Sequence, residues 1–358
     1  MSLRLQVGAL LVGTALAFST AMQAMGQTGA LERSVIAASG SLNDAQTSAL
    51  GAFVSAQADR IRTASNAADV EAARIELITP ARDPAASATF RRAYSGALAA
   101  DLASLAKGSD LRRALSAMQV LRFGRTAESF DVLLDCATPS TELNPAKRIA
   151  AAGLISDGFE DLDANNSYFE SSARRLRDAV DGESDWIAIH QKLSAIASAA
   201  RRKDLPADNA RNVRRIQAEA LASLAKSVKA SSTVDPRMQA AQRTLVTLRN
   251  DLLLMPTADR AAVSKALAPA LADFITAGIG QWDSAQGDPA MSSSYASTFN
   301  SCEVLLRLID REERPEVYRG TRPESDSRIL LSAWESADKA KFQAEASRLA
   351  GIVAAYRK

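Results

Sequence analysis

From Asn43 onward the chain repeats one local pattern. A capping residue opens a run in which apolar side chains recur three and four positions apart, and Gly or Pro closes it. Phe90, Tyr94, Ala97, Leu98, Leu102 and Leu105 form one such stripe. Gly108 ends it, Ser109-Asp110 starts the next, and Gly124 stops that one. The same reading predicts helices over 166–180, 184–203, 207–229, 236–255, 257–282, 290–312, 326–336 and 338–357. Earlier starts fall at Asn43-Asp44, Asn66, Asp83-Pro84 and Asn144-Pro145. A short helix through Phe130, Leu133, Leu134 and Cys136 runs up to Pro139, and Pro80 closes the helix that Asn66 opens. Alternating strand patterns are absent, and composition agrees. Alanine, the best helix former, supplies 72 of 358 residues, while aromatics make up 5%. The expected fold is therefore all-α, an array of antiparallel helix pairs joined by short turns. The longest irregular stretches are 231–235, 283–293 and 313–325, and a subdivision is expected near 231–235.

The first 26 residues read as an address. Arg4 gives a basic start, Val7 to Phe18 is an uncharged apolar run, and Ala24-Met25-Gly26 ends the segment in small residues. This is the layout of a secretory signal peptide, with cleavage expected after Gly26 or, second, after Ala24. The apolar run is shorter than the roughly 20 residues a bilayer span needs. No Cys stands there to take a lipid, and no later stretch is long and uncharged enough to anchor the chain once the signal is removed. The expected product, 27–358, is exported to the periplasm or outside the cell.

One hexapeptide occurs twice: Leu-Ala-Ser-Leu-Ala-Lys fills Leu102–Lys107 and again Leu221–Lys226. The offset of 119 residues corresponds to three two-helix repeats of roughly 40 residues each. Two other segments carry a family likeness. Asn144-Pro145-Ala146-Lys147-Arg148-Ile149-Ala150-Ala151-Ala152-Gly153-Leu154-Ile155 and Asp235-Pro236-Arg237-Met238-Gln239-Ala240-Ala241 resemble the second-helix starts of HEAT-type repeats, where Asx-Pro precedes a helix with a small-residue face. The resemblance implies an α-solenoid, or an irregular multi-helix array, with a binding role.

Much chemistry is excluded by inventory. A single His and two Cys leave no multi-imidazole metal site, zinc ribbon or iron–sulfur cluster, and no cofactor or metal is expected. Ser104-x-x-Lys107 and Ser223-x-x-Lys226 match the first element of penicillin-binding enzymes, but the S-D-N and K-T-G elements are missing. Asp161-Leu162-Asp163-Ala164-Asn165 begins like a calcium loop but lacks Gly at position six and Glu at position twelve, where Asn166 and Ser172 stand. It reads as an acidic turn, with Asn166 or Ser167 capping the next helix. His190 shares a helix face with Trp186, Ile189, Leu193, Ile196 and Ala197, which marks it as structural. Dinucleotide, P-loop, hydrolase-elbow and H-E-x-x-H motifs do not occur, and no catalytic residue is assigned. Cys136 and Cys302 both lie on apolar helix faces and are expected as buried free thiols.

The one cluster that invites a partner is basic. Arg201, Arg202, Lys203, Arg211, Arg214 and Arg215 stand against Asp204 and Asp208, just downstream of Arg174, Arg175 and Arg177. Gathered on one face, they would meet an acidic partner, either another protein or an acidic envelope polymer. Nucleic acid is not expected, because the formal charge is only +2 and no aromatics interleave the run. The expected function is that of a non-enzymatic interaction or scaffold module in the cell envelope. The alternative is an α/α-barrel enzyme that acts on polysaccharide through carboxylates.

Overall fold

The computed structural model describes residues 30–313 and 328–356. The expected signal peptide lies outside the described residues, as does most of the 313–325 stretch. The fold is 80% helical, with sixteen α-helices and no strand among the described residues. The chain divides into two compact units, the first ending at Gly124 and the second starting at Arg125.

The first unit holds α1 (Arg33–Ile36), α2 (Asp44–Thr63), α3 (Ala67–Arg82), α4 (Ala88–Lys107) and α5 (Leu111–Arg122). Asn43, Asn66, Ser87 and Asp110 cap α2 to α5 by accepting backbone N–H groups of the first turn. The helices pack as hairpins, α2 with α3 and α4 with α5, and the hairpins stack α2 on α4 and α3 on α5. Two boundaries differ from expectation. Pro80 lies inside α3, where its missing N–H costs one bond close to the helix end. Asp83 ends α3 rather than starting α4. The following Pro84 holds it in extended backbone, and its carboxylate takes the Ala85 N–H at 2.8 Å. Ser87 then opens α4.

The second unit holds α6 (Ala127–Ala137), α7 (Pro145–Gly158), a 3₁₀ turn (Phe159–Asp161), α8 (Asn166–Asp181), α9 (Trp186–Ala200), α10 (Ala207–Lys229), α11 (Met238–Leu254), α12 (Thr257–Gly280), α13 (Trp282–Gln286), α14 (Pro289–Glu313), α15 (Ile329–Glu335) and α16 (Lys339–Tyr356). Helices two apart in sequence stack. One row runs α6, α8, α10, α12, and the other runs α7, α9, α11 and then α14. Polar contacts within each row rise together in number on both helices, so row neighbours run parallel. Examples are Glu170–Asn209 then Arg177–Glu219, and His190–Thr244 then Arg201–Asp251. The stretch Asp259–Gly280 is long and apolar enough to cross a membrane by composition. Here it is a packed helix, with Val263, Leu267, Leu271 and Phe274 in the core.

Three expectations change in this unit. Residues 283–293 are mostly helical, because Trp282 is buried and Asp288-Pro289 starts α14 at once. Asn165, not Asn166 or Ser167, caps α8 by accepting the Tyr168 N–H at 2.9 Å. The 231–235 connection lies within the second unit and is tied down. The Asp235 N–H donates to the Tyr295 hydroxyl at 3.0 Å, and Gln281 Nε2 donates to the Val228 and Ser231 carbonyls at 2.7 and 3.0 Å.

At the 119-residue offset of the hexapeptide, helix starts and buried positions also coincide. Ala67 and Ala88, which open α3 and α4, stand 119 positions before Trp186 and Ala207, which open α9 and α10. Core positions coincide at the same offset: Leu50 with Phe169, Val54 with Ala173, Ile61 with Val180, Val70 with Ile189, Leu77 with Ile196, Tyr94 with Val213, Leu102 with Leu221 and Ala106 with Ala225 are buried at both places. Two apolar positions become polar in the later copy, Ala73 to Lys192 and Leu98 to Gln217, and both stay buried. The register breaks after α10, where α11 starts only at Met238.

Candidate interaction surface

The six basic residues sit where α9 ends and α10 begins, and four of them are paired with acids. Arg201 donates to Asp251 of α11 at 2.7 Å. Arg211 pairs with Asp259 of α12 at 2.6 Å and with Asp208 at 3.1 Å. Arg202 turns back onto the 3₁₀ segment. It donates to the carbonyls of Phe159, Glu160 and Leu162, lies 4.4 Å above the Phe169 ring, and pairs with Asp204. Arg215 shares Glu219 with Arg177. The upstream arginines are likewise engaged, Arg175 with Asp131 and Asp135, and Arg174 with Glu170. The pairs Arg201–Asp251, Arg211–Asp259, Arg177–Glu219 and Arg175 with Asp131 and Asp135 bridge neighbouring helices in a row, so part of the cluster holds the stack together.

Two of the six stand apart. Lys203 is exposed and Arg214 half-buried, and neither has a hydrogen bond or ion pair among the described residues. Burial lowers the Arg214 pKa from its ordinary value. Asp251 and Asp259 oppose that shift, and Arg201 adds to it. Lys203 borders a cleft of about 600 Å³ that is also lined by Ser156, Asp157, Glu160, Ser198, Arg201, Arg202 and Asp204. Its lining carries three acids and three bases and no aromatic side chain. The Ser156 and Ser198 hydroxyls share a hydrogen bond of 2.9 Å across α7 and α9.

A buried ionic group lies at the other end of α9, and the sequence reading missed it. The Glu183 carboxylate accepts from Arg148 Nε and Nη2 at 2.7 and 2.8 Å and from Lys192 Nζ at 2.7 Å. The N–H groups of Ser184 and Asp185 complete its shell at 3.0 Å. Burial pushes the Glu183 pKa up, but the hydrogen bonds from Arg148 and Lys192 outweigh it and hold it at about 2. Lys147 and Glu142 form a second shielded pair at the start of α7. A signal was present: Lys192 stands three after Ile189 and four before Ile196, within the apolar stripe.

The remaining motifs resolve as structure. His190 is half-buried with Nδ1 3.5 Å from the Thr244 hydroxyl, and burial, aided by Arg243, lowers its pKa. Asp161 lies 3.5 Å from Arg125, and the Asp163 N–H donates to the Arg125 carbonyl at 2.8 Å, so the acidic turn is pinned to the start of α6. Ser223 donates to Asp181 of α8, and Lys107 and Lys226 are exposed. Cys136 and Cys302 are both free and buried. No group of three or more metal-ligating side chains occurs among the described residues. No protein-family model matches the chain, and no curated protein or solved structure matches it.

Proposed function

We propose that the chain is an exported, non-enzymatic helical-repeat protein that serves as an interaction or scaffold module in the cell envelope. The observation that carries this reading is the row packing. Side chains that bridge stacked helices recur 39 to 50 residues apart, as in Glu170–Asn209, Arg177–Glu219, Arg74–Gln119, Ser55–Asp101 and Arg201–Asp251. That spacing falls close to the period of HEAT-type helix pairs. The burial register shared at 119 residues supports three such repeats between its two copies. Stacks of this kind present rows of turns and helix faces to partners. Export rests on Arg4, the Val7–Phe18 run and Ala24-Met25-Gly26.

The test is cell fractionation with mass spectrometry of the purified product, followed by affinity capture from envelope extract. The expected result is a new N-terminus between Ala24 and Gln27 and a partner enriched over an untagged control. Cytoplasmic protein that retains Met1 would refute the export reading.

A further inference from the structure

The register of 119 residues reaches one helix further back. Subtracted from α6 (Ala127–Ala137), it gives residues 8–18, which fall within the uncharged run Val7–Phe18, outside the described residues. α6 packs on α8, and the counterpart of α8 in the first unit is α2.

Two side chains of α8 hold α6. The Tyr168 hydroxyl donates to the Ala127 carbonyl at 3.1 Å and to Asp131 at 3.2 Å. Arg175 pairs with Asp131 at 2.7 Å and with Asp135 at 2.8 Å. At the earlier positions Tyr168 and Arg175 become Ala49 and Ala56, while Asp131 and Asp135 become Val12 and Leu16. Both sides change together from polar to apolar, so the chemistry stays matched across the contact.

On α2 the place of α6 is an open groove of about 550 Å³. Ala45, Ala49, Ala52 and Ala56 line it from α2, and Leu31 and Val35 line it from the segment before. Glu32 is the one charged residue of its lining. Among the described residues α2 heads its row, and the first helix of a stack exposes an apolar face until another element covers it.

We propose that, in the uncleaved chain, residues 8–18 dock as a helix in this groove, in the place that α6 takes on α8. The segment is uncharged like the groove and equals α6 in length. Its small residues, Gly8, Ala9, Gly13 and Ala17, suit close approach to the alanines of α2. This goes beyond the export reading. Under that reading, removal of the segment uncovers the groove.

The test is crosslinking in the full chain, translated without membranes so that residues 1–26 stay in place. Val12→Cys and Ala56→Cys supply the reactive pair, and the native thiols, Cys136 and Cys302, are buried. A short bismaleimide should join positions 12 and 56 within one chain, read by peptide mass spectrometry. Ala52→Glu puts a carboxylate into the groove and should cut the yield about tenfold. Thr47→Glu, outside the lining, should leave the yield unchanged. Ala52 and Thr47 are both exposed, so these variants keep the fold, which circular dichroism checks. Absence of the crosslink in the folded chain, or a yield that Ala52→Glu leaves intact, would overturn the proposal. Crosslinks only between chains would overturn it too, by placing a second copy in the groove. Cell fractionation judges export separately. A cytoplasmic chain that keeps Met1 and gives the crosslink refutes export and keeps the docked helix. A chain that is exported and trimmed, but gives no crosslink in its full-length form, keeps export and loses the docked helix.

Discussion

Glu183 and Lys192 meet at 2.7 Å with both side chains fully shielded from solvent. Lys192 occupies the position that Ala73 fills 119 residues earlier, so one copy of the register carries an ionic group where the other carries a methyl. A buried pair of this kind adds little net stability, but removal of one partner strands a charge. Glu183→Gln, which leaves the buried Arg148 and Lys192 cations without their carboxylate, is expected to cost about 3–5 kcal/mol in urea unfolding. The Lys192→Met/Glu183→Gln double variant should lose less than Glu183→Gln alone, because it strands one buried cation instead of two. A double variant that loses as much as or more than the single variant would contradict this account.

The same carboxylate sets an acid limb. The folded-state pKa of Glu183, about 2, lies below the ordinary 4.5, so its contribution is present above about 4.5 and lost as pH falls towards 2. Glu303 has the opposite sign. Burial raises its pKa despite the Leu330 and Ile329 N–H groups, so its contribution grows on acidification. The informative quantity is therefore the difference between the unaltered chain and Glu183→Gln. That difference should shrink as pH falls from 5 to 2, which denaturant melts across the range will check.

Close packing of α12 on α14 depends on one glycine. A Cβ added at Gly278 would enter the Phe299 ring, which is fully buried. Gly278→Ala is expected to destabilise by about 1–3 kcal/mol, and Phe299→Leu in the same chain should recover part of the loss. Thermal unfolding of the two single variants and the double variant measures it.

Cys136 and Cys302 are free and buried, and burial pushes the Cys302 thiol far up. Without reductant, the native protein should show neither thiol to Ellman's reagent, and the denatured protein both. A single intramolecular crosslink in the denatured chain would contradict this.

The helices were legible because their ends are written in side chains that bind backbone. Asn43, Asn66, Asp110 and Asn144 each cap as the sequence implies. The boundaries misread were those set by neighbours. Asp83 looks like a cap before Pro84, but the chain turns there, and α13 forms because Trp282 packs against Trp334 and Phe342. The basic run was legible as charge but not as surface. Sequence order cannot reveal that Asp251 and Asp259, some 50 residues downstream, take up Arg201 and Arg211.

The most direct test of the central reading is co-sedimentation of the tagged full chain from its own cell envelope after gentle crosslinking. The account predicts that the processed chain migrates in a larger assembly with a stoichiometric protein partner. Migration as the free chain, together with polysaccharide-cleaving activity in the same fraction, would contradict it.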